Sequence, residues 1–217
     1  MAVRHIYTYQ NPLVQKDVEL VAAVLEAGGV IAYPTDVNWA FGCDSASTKA
    51  IDKIRMLKPT HPKEQPFSLI CESISMASEY GNIEHTAYRI LRRALPGPYT
   101  VLLERNRSLP RQIKDKRKVV GIRIPDSQLV QGIVRQLGRP LASTSIPEVS
   151  AFSAQGSKEV PRFGYQVFEA FGHSSLLDLL LDLGEESIGA ETTIVDLVDG
   201  APVIVRVGAG DPALFQV

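Results

Sequence analysis

Apolar residues recur at three- and four-residue spacing through Val14, Val18, Val21, Ala22 and Leu25, the period of an amphipathic helix over 14–27. Gly28-Gly29 stops that helix. Val30-Ile31-Ala32-Tyr33 is then apolar at each position, as in a strand buried on both faces. Pro34-Thr35-Asp36 ends it. Ser47 caps a second helix, which runs to about Lys58 on the stripe Ile51, Ile54, Leu57. Pro59 and Pro62 break it and open a polar loop, and the chain returns as a strand over 67–70. The pattern then predicts helices over 73–80 and 84–94, strands over 99–103 and 119–124, a helix over 128–136 and a short strand over 140–143. A Ser-, Ala-, Gln- and Gly-rich loop covers 150–158 and a helix follows around 160–171. Strands over 176–181, 193–197 and 203–207 close the chain. Strands and helices alternate with no linker-like break and no internal repeat, which predicts one α/β domain with a mixed sheet.

Composition agrees with a soluble globular chain: 217 residues, 45% hydrophobic and 22% charged. It excludes a disordered chain, a collagen-like repeat and a disulfide scaffold. No apolar run reaches the ~18–20 residues that span a bilayer, and Met1-Ala2-Val3-Arg4-His5 lacks the apolar core of a secretory signal. The expected location is therefore cytoplasmic. Cys43 and Cys71 read as partly buried free thiols of a reducing compartment.

Net charge is −1, but the charges are unevenly placed. Eleven basic residues and two acids fall between Arg89 and Arg123, whereas 169–199 holds eight acids and no Lys or Arg. That asymmetry predicts a positive face and an anionic partner. Read alone, the same run is also what a solvated loop would show.

Chemistry-bearing residues gather at expected strand ends, where α/β sheets place their sites. These are Pro34-Thr35-Asp36, Arg123 between Ile122 and Ile124, Ser143-Thr144-Ser145, Thr192-Thr193 and Arg206. No phosphate-binding Gly-rich loop, dinucleotide fingerprint, nucleophile elbow or zinc-binding H-E-x-x-H occurs, and the four histidines are scattered. Hydroxyls and cations without a nucleophile–base pair suit catalysis by positioning and charge stabilisation, as in nucleotidyl transfer. Each also has a plainer explanation: Thr35 a turn cap, Arg123 a satisfied strand cation, Ser143 and Ser145 a helix cap. Arg123 is the most informative, because a charge in an apolar strand is costly without a partner.

Taken together, several segments resemble the YrdC-like family, the threonylcarbamoyl-AMP synthase superfamily, and within it the YciO branch. They are 28–36 (GGVIAYPTD), 95–100 (LPGPYT), 119–125 (VVGIRIP), 141–145 (LASTS), 192–196 (TTIVD) and 205–208 (VRVG), in register over about 5–211. The resemblance implies a single YrdC-like domain, an open twisted mixed sheet with flanking helices and a concave positively charged face. It implies L-threonylcarbamoyladenylate synthesis from threonine, bicarbonate and ATP for tRNA threonylcarbamoylation. Mg²⁺ would come with ATP and no metal would be bound tightly by the protein itself. Carried over by position, Thr35, Arg123, Ser143 and Thr192 face threonine, while Lys58, Ser145 and Arg206 face ATP; Lys58, Arg123 and Ser145 are the catalytic set. Double-stranded RNA or tRNA would meet Arg105, Arg107, Arg111, Lys114, Lys116, Arg117 and Lys118, and no membrane is involved. The chain departs from the synthase pattern close to the site. Lys58-Pro59-Thr60 keeps the lysine of Lys-x-Arg without its arginine, and Ser145-Ile146-Pro147 keeps the serine of Ser-x-Asn without its asparagine. Gln65-Pro66-Phe67 replaces His-Pro-Leu, and Val37-Asn38-Trp39 replaces Thr-Val-Tyr. The alternative to a synthase is therefore an RNA-binding paralogue with weak or no turnover.

Overall fold

The computed structural model describes residues 3–59, 67–106, 113, 118–150 and 157–215. Ten strands form one sheet: β1 (Arg4–Tyr7), β2 (Val30–Pro34), β3 (Trp39–Asp44), β4 (Ser68–Ile70), β5 (Tyr99–Glu104), β6 (Val119–Arg123), β7 (Leu141–Ser145), β10 (Leu179–Asp182), β11 (Thr193–Asp196) and β12 (Val203–Arg206). Their order is β1-β10-β2-β3-β7-β4-β6-β5-β11-β12, with β8 (Val149–Ser150) and β9 (Lys158–Glu159) paired separately. The pairs β1/β10, β10/β2, β4/β6 and β5/β11 are parallel and the rest antiparallel, so the fold is mixed α/β.

Alternation of side chains across the sheet makes two cores. On one face, Val30 and Ala32 of β2, Phe41 of β3 and Leu69 of β4 join Val101 of β5, Ile122 of β6, Ala142 of β7 and Val195 of β11. Helices α2 (Thr48–Leu57), α3 (Ile74–Ser78), α4 (His85–Ala94) and α6 (Gly164–Phe171) cover that face through Ile51, Ile54, Ala77, Ile90, Leu91 and Val167. On the other face, Ile31 and Tyr33 of β2, Ala40, Ile70, Leu141, Leu179 and Leu181 pack against α1 (Gln15–Glu26) and α5 (Gln128–Leu137). That second core stops at β4: it contains no residue of β5, β6, β11 or β12. Among the described residues no helix covers the other half of this face, and the site lies there.

Local signals explain most helix bounds. The hydroxyls of Ser47 and Ser127 accept from Ala50 N and Val130 N at the starts of α2 and α5. Gly28 (φ 77°) carries the chain out of α1 in a left-handed conformation that suits glycine.

The sequence pattern misses β1 and β3, and it ends a strand at 143, whereas β7 runs on through Ser145. Strand β3 escapes notice because Trp-Ala-Phe-Gly-Cys-Asp has no β-branched residue and no alternation; it exists because it is central and buried throughout. Gly42 is needed there, since a Cβ would come within 2.7 Å of the Tyr33 ring. Cys43 and Cys71 are free thiols and fully buried rather than partly so. Burial raises both thiol pKa values well above the usual range, which keeps them protonated and inert.

Candidate functional site

The helix-free half of the face holds a cavity of about 120 Å³ lined by Asn38, Ser68, Ile70, Thr100, Arg123, Ser143, Thr144, Ser145, Glu191, Thr192, Ile194 and Arg206. These residues come from both ends of the chain, and register brings them together. Ser68 of β4 stands between Ser143 of β7 and Gly121 of β6, and Ile70 stands beside Arg123. Ala40 opposes Ser145, which puts Asn38, two residues before Ala40, on the same face.

Arg206 reaches the cavity through an irregularity. Val195 pairs with Ile204, but Ile194 pairs with Arg206, so Val205 is an extra residue in β12. Without that bulge, Arg206 would share the face of Ile204, which packs on the opposite core. The guanidinium then closes on its neighbour strand. Nε and Nη2 donate to Thr192 O (3.1 and 2.9 Å), and Nη2 also donates to Thr192 Oγ1 (3.2 Å). Thr192 Oγ1 also bonds Thr100 Oγ1 at 2.8 Å. Nη1 pairs with Glu191 at 2.8 Å, an ion pair whose carboxylate is exposed. Exposed pairs contribute about 0–1 kcal/mol, so an incoming anion displaces Glu191 at little cost.

Arg123 is held differently. It is 8% exposed, and its Nη2 donates to Asp36 Oδ1 at 2.8 Å, a buried pair in which Asp36 also accepts Asp126 N–H. Among the described residues its Nε is buried with no partner, and so is Oδ1 of Asn38. Buried polar atoms are nearly always satisfied. The two residues that carry these orphans, Arg123 and Asn38, both line the same small cavity.

The other nominated groups sort as follows. Ser143 Oγ donates to Phe41 O (3.1 Å), so Tyr33, bonded to the same oxygen at 2.8 Å, must be the donor there. Burial pushes the Tyr33 phenol up to about 12, partly offset by that bond to Ser143 and by Arg123, so it remains a donor at neutral pH. Ser143 lines the cavity, but its own proton is committed. Thr35 does not line it: Oγ1 donates to Asn38 O (2.7 Å) and accepts from Val37 N–H and Asn38 N–H (3.3 and 3.2 Å). Its hydroxyl ties the turn that presents Asn38. Lys58, the C-cap of α2, reaches over so that Nζ donates to Ser145 O (2.9 Å), Ser145 Oγ (3.4 Å) and Thr144 Oγ1 (3.3 Å). Desolvation lowers the Lys58 pKa below the ordinary lysine value, opposed by the nearby Glu191 carboxylate.

The basic run does not form one surface. Arg89, Arg92 and Arg93 are exposed on α4, which covers the opposite face, whereas Arg123 turns into the cavity. Arg105 is half-buried and its backbone N–H meets Lys118 O at 2.8 Å. Arg107, Arg111, Lys114, Lys116, Arg117, Thr60, Gln65 and Pro66 lie outside the described residues, as does 151–156 of the small-residue loop. Four of the eight acids in 169–199 are held in pairs: Asp178 with Lys53, Asp182 with His5, Glu186 with Arg162, and Glu191 with Arg206. Among the described residues no group of three or more His, Cys, Asp or Glu could hold a metal ion, and no helix is long and apolar enough to cross a membrane.

The model of the Sua5/YciO/YrdC family, described as telomere recombination, matches residues 23–208. The chain belongs to this family. A protein of Haemophilus influenzae is 35% identical to it over 199 residues, 88% of this chain and 89% of that one. YciO of Escherichia coli K12 is 33% identical over 212 residues, 95% and 94% of the two chains. The crystal structure of E. coli YciO matches with a TM-score of 0.84 at 29% identity and full coverage of both. Threonylcarbamoyl-AMP synthase of Pyrococcus abyssi is 25% identical over 192 residues, 88% of this chain but 54% of that protein. The fold of P. abyssi Sua5, solved with L-threonine, matches with a TM-score of 0.79 at 22% identity, over 96% of this chain and 58% of that one. In this Sua5/YciO/YrdC member the sequence reading placed Asp36 at a strand end without a role and noted Asn38 only as a departure from the synthase pattern, and it overlooked Thr100 and Glu191. The legible signal for Asn38 was a lone amide at the head of an apolar stretch.

Proposed function

We propose that the cavity binds a small amino acid with the phosphates of ATP beside it, and that the protein makes L-threonylcarbamoyladenylate from threonine, bicarbonate and ATP. The observation that carries this reading is the nearly buried cation Arg123, only partly neutralised by Asp36, lining a cavity of one-amino-acid size. A carboxylate taken up by the accessible part of the guanidinium adds a charge-assisted contact while Nη2 keeps Asp36, so binding leaves the buried pair unbroken. Lys58 and Arg206 flank the cavity as the cations for a polyphosphate, and Glu191 yields to it. Relatives named threonylcarbamoyl-AMP synthase support the choice of reaction.

The chemistry needs alignment more than a strong base. The threonine ammonium first gives up a proton; the neutral amine attacks bicarbonate carbon and water leaves, and the carbamate oxygen attacks the α-phosphorus as pyrophosphate departs. Arg123 fixes the carboxylate, which leaves the amine to react. Lys58 and Arg206 offset charge on the departing phosphates. Mg²⁺ would enter as part of the ATP complex, since the nearby carboxylates Asp36 and Glu191 are each engaged with an arginine. Pyrophosphate release that requires ATP, threonine and bicarbonate together is the expected result. Release indifferent to threonine contradicts the reading.

RNA binding is a separate proposal, resting on exposed Arg89, Arg92 and Arg93 and on the basic residues that follow them. It predicts affinity for duplex RNA that falls steeply with salt, since phosphate contacts release counterions. Binding unaffected by salt contradicts it.

A further inference from the structure

A larger cavity, a groove of about 790 Å³, lies on the opposite face of the sheet between α3 and α4. Ile74, Ile83 and Leu95 line it and are partly buried against the core beneath. His85, Tyr88 and Arg92 follow it along one side of α4 at three- and four-residue spacing. Tyr88 is 42% exposed, and Arg92 is exposed with no ion pair among the described residues. No carboxylate lines the groove, although the chain has 24 acids against 23 bases. What fits it is an apolar side chain flanked by negative charge.

The loop between β10 and β11 carries such a group. Ile188 is 63% exposed there, with exposed Glu185 and Glu186 just before it. Looseness does not account for that exposure. Ser187 N donates to Arg162 O at 2.8 Å and Gly189 N donates to Val37 O at 2.8 Å, so both neighbours of Ile188 are fixed. A braced loop that holds an isoleucine out to water has little further freedom to lose when a partner covers it. Glu186 pairs with Arg162 at the surface, whereas Glu185 has no ion pair among the described residues.

We infer that the α3/α4 groove receives Ile188 and Glu185 of a second copy of this chain. Ile188 fills the space lined by Ile74, Ile83 and Leu95, and Glu185 meets Arg92 at the rim. The partner is this chain itself because both sides of the complementarity, apolar and electrostatic, are on its own surface. Loop and groove occupy different elements, so a two-fold pair makes the contact twice. The buried isoleucine supplies affinity and the opposite charges set the register.

Sedimentation equilibrium of the full chain at low salt, from about 1 µM to about 1 mM, should show reversible passage from monomer to dimer. Arg92→Glu or Glu185→Arg alone should weaken association at least about tenfold, since each brings like charges together. Both substitutions in one chain restore opposite charges across the contact and should recover most of the affinity, which also shows that the altered chains fold. Ile188→Ser should weaken association at least about tenfold through the lost burial. A chain that stays monomeric up to about 1 mM overturns the inference and leaves the groove to a foreign partner. Association untouched by these variants lies elsewhere, as at β12 where Val203 and Val205 are exposed, and overturns it too.

Discussion

Two halves of one sheet face behave as different materials. Beneath α1 and α5, the positions of β2, β3, β4, β7 and β10 that point to this side are Ile31, Tyr33, Ala40, Ile70, Leu141, Leu179 and Leu181. Towards β12, where no helix lies above among the described residues, the same face offers Ser68, Thr100, Arg123, Ser143, Ser145, Thr192 and Arg206. Strand geometry is common to both halves, so the difference lies in what covers them. A covered half must exclude water and gains from every methylene buried. An uncovered half keeps polar groups, and orphans among them persist only if a ligand repays their burial at another moment.

The comparison can be broken first at its ion pair. Arg123→Ala leaves Asp36 buried and alone, which should cost about 3–5 kcal/mol in chemical denaturation and also abolish threonine binding. The double variant Asp36→Asn, Arg123→Met should recover most of the stability but none of the binding. Recovery of both would remove the arginine from the site. On the covered half, Leu25→Ala should cost about 2–5 kcal/mol through the cavity it leaves, with affinity unchanged while the protein remains folded.

Smaller effects sharpen the picture at the lip. Lys58 serves an anion only when protonated, and desolvation places its pKa below the ordinary value of ~10.4. Nucleotide affinity should therefore be full at neutral pH and decline as pH rises towards that value, earlier than an exposed lysine would allow. Lys58→Arg should be flat across the same range. Glu191→Gln should change stability by no more than about 1 kcal/mol, the worth of an exposed pair, while tightening polyphosphate binding measured at low salt. A weaker nucleotide complex would mean that Glu191 is part of the site rather than a competitor for it.

Much of this was legible in the sequence. The cap at Ser47 and the stop at Gly28 are local, and α1, α2, α4 and α5 came through within a residue of their bounds, whereas the helix expected around 160–171 begins at Gly164. The cations Arg123 and Arg206 stood out because each sits in an apolar strand, and Lys58 came through the family resemblance. What stayed hidden depends on pairing between distant strands. Strand β3 has no intrinsic strand signal and is made by its neighbours. The bulge at Val205 that aims Arg206 is a register property of two strands. Thr35 looked like a ligand group, yet its hydroxyl is spent on the turn, while Asn38 three residues later carries the free acceptor.

The most direct test sets the two halves side by side in one titration of L-threonine against wild type, Leu25→Ala and the Asp36→Asn, Arg123→Met double variant. Each is measured below its own melting temperature. Equal affinity in the first two and at least about tenfold loss in the third is the outcome required if the helix-free half is the binding site. Binding that survives in the double variant, or fails equally in Leu25→Ala, contradicts it.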